Sequence, residues 1–159
     1  ASWEDYDHDG DVDLYIANDF GPNQLFRSEG EYFVDESSES GSQDWGFGMS
    51  ATWADYDRDG FMDLYVSSMF SGAGNQVVAQ SDFNANMPEE TRTRYLKMVR
   101  GNTLLKNSGQ GQFEDLTSPM AEGFGGWAWG AKFADFNNDG WEDLYVANGY
   151  ISQPDTDDL

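Results

Sequence analysis

Three stretches of this chain crowd acidic side chains onto one spacing: Asp5-Tyr6-Asp7-His8-Asp9-Gly10-Asp11-Val12-Asp13, Asp55-Tyr56-Asp57-Arg58-Asp59-Gly60-Phe61-Met62-Asp63 and Asp135-Phe136-Asn137-Asn138-Asp139-Gly140-Trp141-Glu142-Asp143. Each puts oxygen-bearing side chains at positions 1, 3, 5 and 9, with glycine at 6. Like charges so close repel one another unless a hard cation sits among them. The chemistry implied is ligation, and calcium suits it because calcium takes six to eight oxygens in a flexible shell. The expected ligands of loop 1 are Asp5, Asp7, Asp9 and Asp13 with the backbone carbonyl of Asp11. Those of loop 2 are Asp55, Asp57, Asp59 and Asp63 with the carbonyl of Phe61. Those of loop 3 are Asp135, Asn137, Asp139 and Asp143 with the carbonyl of Trp141. Asn137 keeps an oxygen and drops a charge, so the third of these calcium sites is expected to be the weakest.

Rival readings of the same residues fail on spacing. An EF-hand needs a bidentate Glu at loop position 12, where this chain has Ile16, Val66 and Val146. A dockerin loop leads into a helix, whereas here Leu-Tyr-Ile or Leu-Tyr-Val follows and reads as strand. Zinc lacks its usual partners, since the chain has one His and no Cys. Ordinary Asp-Gly turns explain neither the four-point spacing nor its recurrence. His8 falls at position 4, which is expected to point outward into solvent.

The segments around the loops repeat as well. Trp3, Trp53 and Phe133 stand two residues before each first aspartate, and Leu14-Tyr15-Ile16, Leu64-Tyr65-Val66 and Leu144-Tyr145-Val146 follow the last. These are aromatic and β-branched runs, predicted to be strands. A second repeated piece, Asn23-Gln24-Leu25-Phe26-Arg27 and Asn102-Thr103-Leu104-Leu105-Lys106 with a glycine turn after each, predicts β-hairpins. Strand, acidic loop, strand and hairpin make four antiparallel strands, the unit of a propeller blade. The expected fold is therefore all-β, a partial β-propeller. Its blade units cover about 1–43, 44–123 and an incomplete 124–159. An insertion at about 70–100 interrupts the second unit. Ser71 to Asn75 reads as loop and Pro88 to Arg100 as one helix, with Glu89 and Glu90 in its first turn and Gly101 to end it. Arg92, Arg94, Lys97 and Arg100 suit a surface helix held to an acidic body by ion pairs.

The 159 residues suggest one domain, and 38% hydrophobic residues supply a core despite a net charge of −22. That charge repels phosphate backbones and anionic lipid heads, so neither nucleic-acid nor membrane-surface binding is expected. Without an apolar run of about 18 residues, no membrane insertion is expected either. The chain has no Cys, so it has neither disulfides nor a thiol nucleophile. Ala1 opens the chain with no leader after it, which reads as a processed product or a piece of a longer protein.

The loops and the strands after them resemble the FG-GAP/VCBS repeat family of integrin-alpha-like propellers. The pairing of Arg100-Gly101-Asn102-Thr103-Leu104-Leu105 with Trp127-Ala128-Trp129-Gly130-Ala131-Lys132-Phe133-Ala134-Asp135 looks closer still to bacterial relatives of cartilage acidic protein. The resemblance implies calcium in the loop joining the first two strands of each blade. It implies a ligand-type face at the opposite end, where the 70–100 insertion falls. Two units and the start of a third do not close a ring, since a propeller takes at least four blades. Further blades or neighbouring chains are expected to cover the open ends.

The function expected is a non-catalytic, calcium-stabilised module of a secreted or cell-surface protein. It would present loops to a protein or glycan for adhesion or assembly. There is no G-x-S-x-G elbow, P-loop or dinucleotide fingerprint. The alternative is a piece of a propeller hydrolase or lyase whose catalytic residues lie outside this chain.

Overall fold

The computed structural model describes residues 1–117 and 126–148. Within them the architecture is all-β with one helical insertion. β1 (Ser2–Glu4), β2 (Asp13–Ile16), β3 (Gln24–Ser28) and β4 (Phe33–Asp35) form a four-stranded antiparallel sheet in chain order. β5 (Gly48–Ala54), β6 (Asp63–Ser68), β7 (Thr103–Asn107) and β8 (Phe113–Asp115) form a second. β9 (Ala128–Ala134) and β10 (Asp143–Asn148) pair as the start of a third. This is the partial β-propeller that the repeats predict. Each acidic loop joins the first two strands of its sheet, and its ninth residue opens the second strand.

Register explains how the sheets stack. Trp53, Leu64 and Leu105 stand in one cross-strand row of the second sheet. With Val66 and Phe113 they meet Tyr15, Leu25 and Tyr6 of the first. The other side of the second sheet sends Ala54, Tyr65 and Leu104 against Phe133, Ala131, Leu144 and Val146 of the third. Both interfaces share an aromatic contact, a tyrosine edge-on to the ring two residues before the next loop: Tyr15 on Trp53 at 6.2 Å and Tyr65 on Phe133 at 6.3 Å. Edge-to-face pairs of this kind are favoured by the ring quadrupole. The outer faces repeat the same residues uncovered. Trp3 is 56% exposed where Trp53 is 8%, and Tyr145 is 61% exposed where Tyr65 is 4%.

The insertion between β6 and β7 corrects one expectation. It contains two helices, α1 (Gly72–Val78) and α2 (Glu89–Val99), where the sequence predicts a loop at Ser71–Asn75 and a single helix. Ser71 caps α1, its hydroxyl accepting from the Gly74 amide at 3.0 Å. A Cβ on Gly74 would stand 2.9 Å from Val99 Cγ1, so the glycine lets the two helices touch. Asn75 then donates its side-chain amide to the Val99 carbonyl at 2.7 Å. Packing on α2 thus stabilises a segment whose glycines alone disfavour a helix. Pro88 lies at the N-cap of α2 and Gly101 ends it with φ +97°. Two of the four basic residues pair with the body as expected, Arg100 with Asp115 at 2.8 Å and Lys97 with Asp115 at 3.7 Å. Arg94 instead pairs with Glu90 of its own helix and lies over the Trp45 ring, and Arg92 donates to the Val78 and Gln80 carbonyls within the insertion.

Candidate metal centres

The three acidic loops are wound by the same backbone hydrogen bonds. The glycine amide at position 6 donates to the first aspartate: Gly10 to Asp5 at 3.1 Å, Gly60 to Asp55 at 3.0 Å and Gly140 to Asp135 at 2.8 Å. The amide at position 5 donates to the side-chain oxygen at position 3, from Asp9 to Asp7, Asp59 to Asp57 and Asp139 to Asn137. The amide at position 7 donates to the carboxylate at position 5, from Asp11 to Asp9, Phe61 to Asp59 and Trp141 to Asp139. The glycines take φ of +95°, +92° and +84°, a region nearly closed to other residues. The fourth residues, His8, Arg58 and Asn138, are left-handed too, at φ 61°, 61° and 60°. His8 is exposed as expected, but its ring stacks on Phe61 of the next loop at 5.5 Å.

Position 9 does more than its place in the pattern suggests. Asp13 and Asp63 are fully buried. Asp13 Oδ1 accepts from the Ser28 amide and Asp63 Oδ1 from the Asn107 amide, each at 2.8 Å. One carboxylate therefore fixes its loop to the end of the third strand. Asp13 Oδ2 and Asp143 Oδ2 accept from the amides of Tyr6 and Phe136, each at 3.2 Å.

Convergence differs from loop to loop. In loop 1 the carboxylate oxygens of Asp5, Asp7 and Asp13 lie within 4.8 Å of one another. In loop 2 those of Asp55, Asp57 and Asp59 do so. Asp9 and Asp63 stand outside these trios, and among the described residues loop 3 forms no carboxylate trio. Asn137 offers an amide there, and it donates to Asp139 at 3.0 Å. Asp5 Oδ1, Asp55 Oδ1 and Asp63 Oδ2 are buried without any hydrogen-bond partner. A buried carboxylate oxygen left unpaired is costly. Oxygen-only donors with such orphaned atoms fit a hard divalent cation.

Two features of the sites come from residues outside the acidic loops. Lys106, on β7, sends its ammonium to Asp57 and Asp59, the latter at 3.0 Å. It holds the Asp59 carboxyl below its ordinary range. Arg27, its counterpart on β3, turns instead to Glu29 at 2.7 Å and Glu36 at 3.4 Å. Each hairpin is also latched by Asp-x-Ser/Thr. Asp35 accepts from the Ser37 amide while the Ser37 hydroxyl accepts from Leu25 N at 2.9 Å. Asp115 and Thr117 repeat this on Leu104 at 3.0 Å. The recurrence of Asp35-Glu36-Ser37 as Asp115-Leu116-Thr117 was the signal available in the sequence.

Burial pushes the carboxyls of Asp13 and Asp63 up to about 6. The unfolded value is about 3.9. In a chelator, the stability these two groups contribute is fully present below about pH 4 and lost as pH rises through about 6. A bound cation reverses that preference by favouring the ionised form. The gap between melting temperatures in calcium and in chelator is therefore expected to close as pH falls from about 7.5 to about 5. Paired thermal melts across that range check it, and a constant gap would contradict it.

No curated protein matches this chain. Residues 5–66 and 95–146, which hold all three acidic loops, match the FG-GAP-like repeat. A chain whose blades and loops recur in this order, and which carries that match over most of its length, belongs to the FG-GAP-like repeat family.

Proposed function

We propose that this chain is a calcium-binding, non-catalytic propeller module of an extracellular protein. In this reading it is kin to the bacterial relatives of cartilage acidic protein and presents loops for adhesion or assembly. The observation that carries the proposal is the set of orphaned oxygens. Asp5 Oδ1, Asp55 Oδ1 and Asp63 Oδ2 are buried without hydrogen-bond partners, while the other oxygen of each carboxylate accepts a backbone amide. Calcium supplies a doubly positive partner for several oxygens at once. The protein's part is to aim those oxygens. The position 6 amides orient the first aspartates, and Asp13 and Asp63 tie each loop to the hairpin that follows.

An extracellular setting fits the expected affinity. Sites of extracellular modules have dissociation constants of about 0.1–1 mM, suited to millimolar calcium. With the loops used to hold the blades, binding falls to the other end. There the insertion of α1 and α2 joins the second strand to the third. Titrating the chain with calcium in a calorimeter is expected to give saturable binding at up to three sites, with loop 3 the weakest. Asp5→Ala and Asp55→Ala are each expected to remove one ion. A flat titration at millimolar calcium would end the proposal, and turnover of a glycoside or ester by the chain would end its non-catalytic part.

A further inference from the structure

Adjacent acidic loops touch in one repeated way. His8, fourth in loop 1, stacks on Phe61, seventh in loop 2, at 5.5 Å and 26°. Arg58, fourth in loop 2, lies over the ring of Trp141, seventh in loop 3, at 4.1 Å. A Cβ on Gly140 would stand 3.0 Å from the Arg58 guanidinium, so this glycine also clears the approach. Ligand spacing asks nothing of the side chain at position 4. Its left-handed backbone suits Asn, which loop 3 has as Asn138. His8 and Arg58 adopt the same conformation, and each puts a flat side chain on its neighbour's ring. The seventh positions that receive such a contact are Phe and Trp, whereas loop 1 has Asp11 there.

We propose that His8 and Arg58 are positioning residues that couple the metal loops of neighbouring blades, so that filling one loop favours filling the next. The proposal rests on the calcium reading above. An ion in loop 2 fixes the Phe61 carbonyl and with it the ring. The ring holds His8, which lies between Asp7 and Asp9 of loop 1. Part of the ordering that loop 1 needs is then already complete before its ion arrives. Loop 3 acts on loop 2 through Trp141 and Arg58 in the same way, and the coupling is reciprocal. The Arg58–Trp141 cation–π contact corresponds to about a two- to fivefold change in affinity, and the His8–Phe61 ring stack to at least about twofold.

The test is a calorimetric calcium titration of the 159-residue chain and of its His8→Asn/Arg58→Asn variant at fixed ionic strength. The variant gives every loop the Asn found in loop 3 and leaves all ligands in place. The expected result is an unchanged number of ions, a Hill slope lower in the variant than in the parent, and a midpoint raised about two- to fivefold. Removing a cation beside carboxylates would by itself tighten calcium binding, so weakening separates coupling from bulk charge. Trp141→Leu removes the ring, keeps the carbonyl and leaves the charge unchanged. It is expected to lower the slope as well. Equal slopes in all three proteins, with calcium still bound, would overturn the coupling and leave the calcium reading intact. No calcium heat in the parent would overturn both.

Discussion

In a chelator at neutral pH the chain is expected to unfold about 10–20 °C below its melting temperature in about 2 mM calcium. The estimate follows from linkage. Two sites of about 0.1 mM at that concentration stabilise the folded state by about 1.5–2 kcal/mol each, and a weaker loop 3 of about 1 mM adds about 0.6 kcal/mol, so the three supply about 4–5 kcal/mol. In a chain of this size each kcal/mol moves the midpoint by about 2–4 °C. Buried carboxylate oxygens left without partners, at Asp5, Asp55 and Asp63, are where the apo chain loses that stability. Scanning calorimetry with calcium, with chelator, and with chelator followed by excess calcium checks the effect and its reversal. Equal midpoints in calcium and chelator would mean that the loops are held by their own hydrogen bonds.

The second large effect is expected from Trp53→Ala, at about 3–5 kcal/mol of destabilisation. Trp53 fills the interface between the first two sheets. It lies 6.2 Å from the Tyr15 ring, 6.4 Å from Tyr6 and 6.1 Å from Phe113. Removing it opens a cavity among residues from both sheets, which the short strands have little freedom to collapse around. Trp3, its counterpart one blade earlier, stands largely in solvent, and Trp3→Ala is expected to change stability by less than about 1 kcal/mol. Chemical denaturation of the two variants in calcium compares them directly. Equal losses would show that Trp3 is covered in solution.

What was legible in the sequence was whatever repeats at short range. Aspartates at alternating loop positions, the Leu-Tyr-Val runs and the hairpin pieces each carry their meaning within about ten residues. They gave the strands, the acidic turns between first and second strands, and the four-stranded unit. What escaped depends on distant partners. Ser71 to Val78 forms a helix because Val99 and the Val99 carbonyl receive it, and its glycines pointed the other way. Lys106 reaches Asp57 from 49 residues away, so nothing beside loop 2 announces an ammonium there. The latches at Ser37 and Thr117 were visible as a repeat, but their role depends on which strand lies opposite. The convergence of Asp5, Asp7 and Asp13, with Asp9 outside, likewise depends on how the chain bends at His8 and Gly10.

The uncovered rings at Trp3 and Tyr145 lie on unlike ends of the stack, Trp3 matching the rings that receive a tyrosine edge and Tyr145 the tyrosines that supply one. Two copies facing each other across a dyad would set like against like and make no such pair. Only a head-to-tail arrangement repeats the internal contact, and such arrangements close into rings or run on as fibres according to their rotation. A further blade that repeated the internal contact, from the same polypeptide or another, would therefore enter in one orientation, which would give the stack a direction of growth.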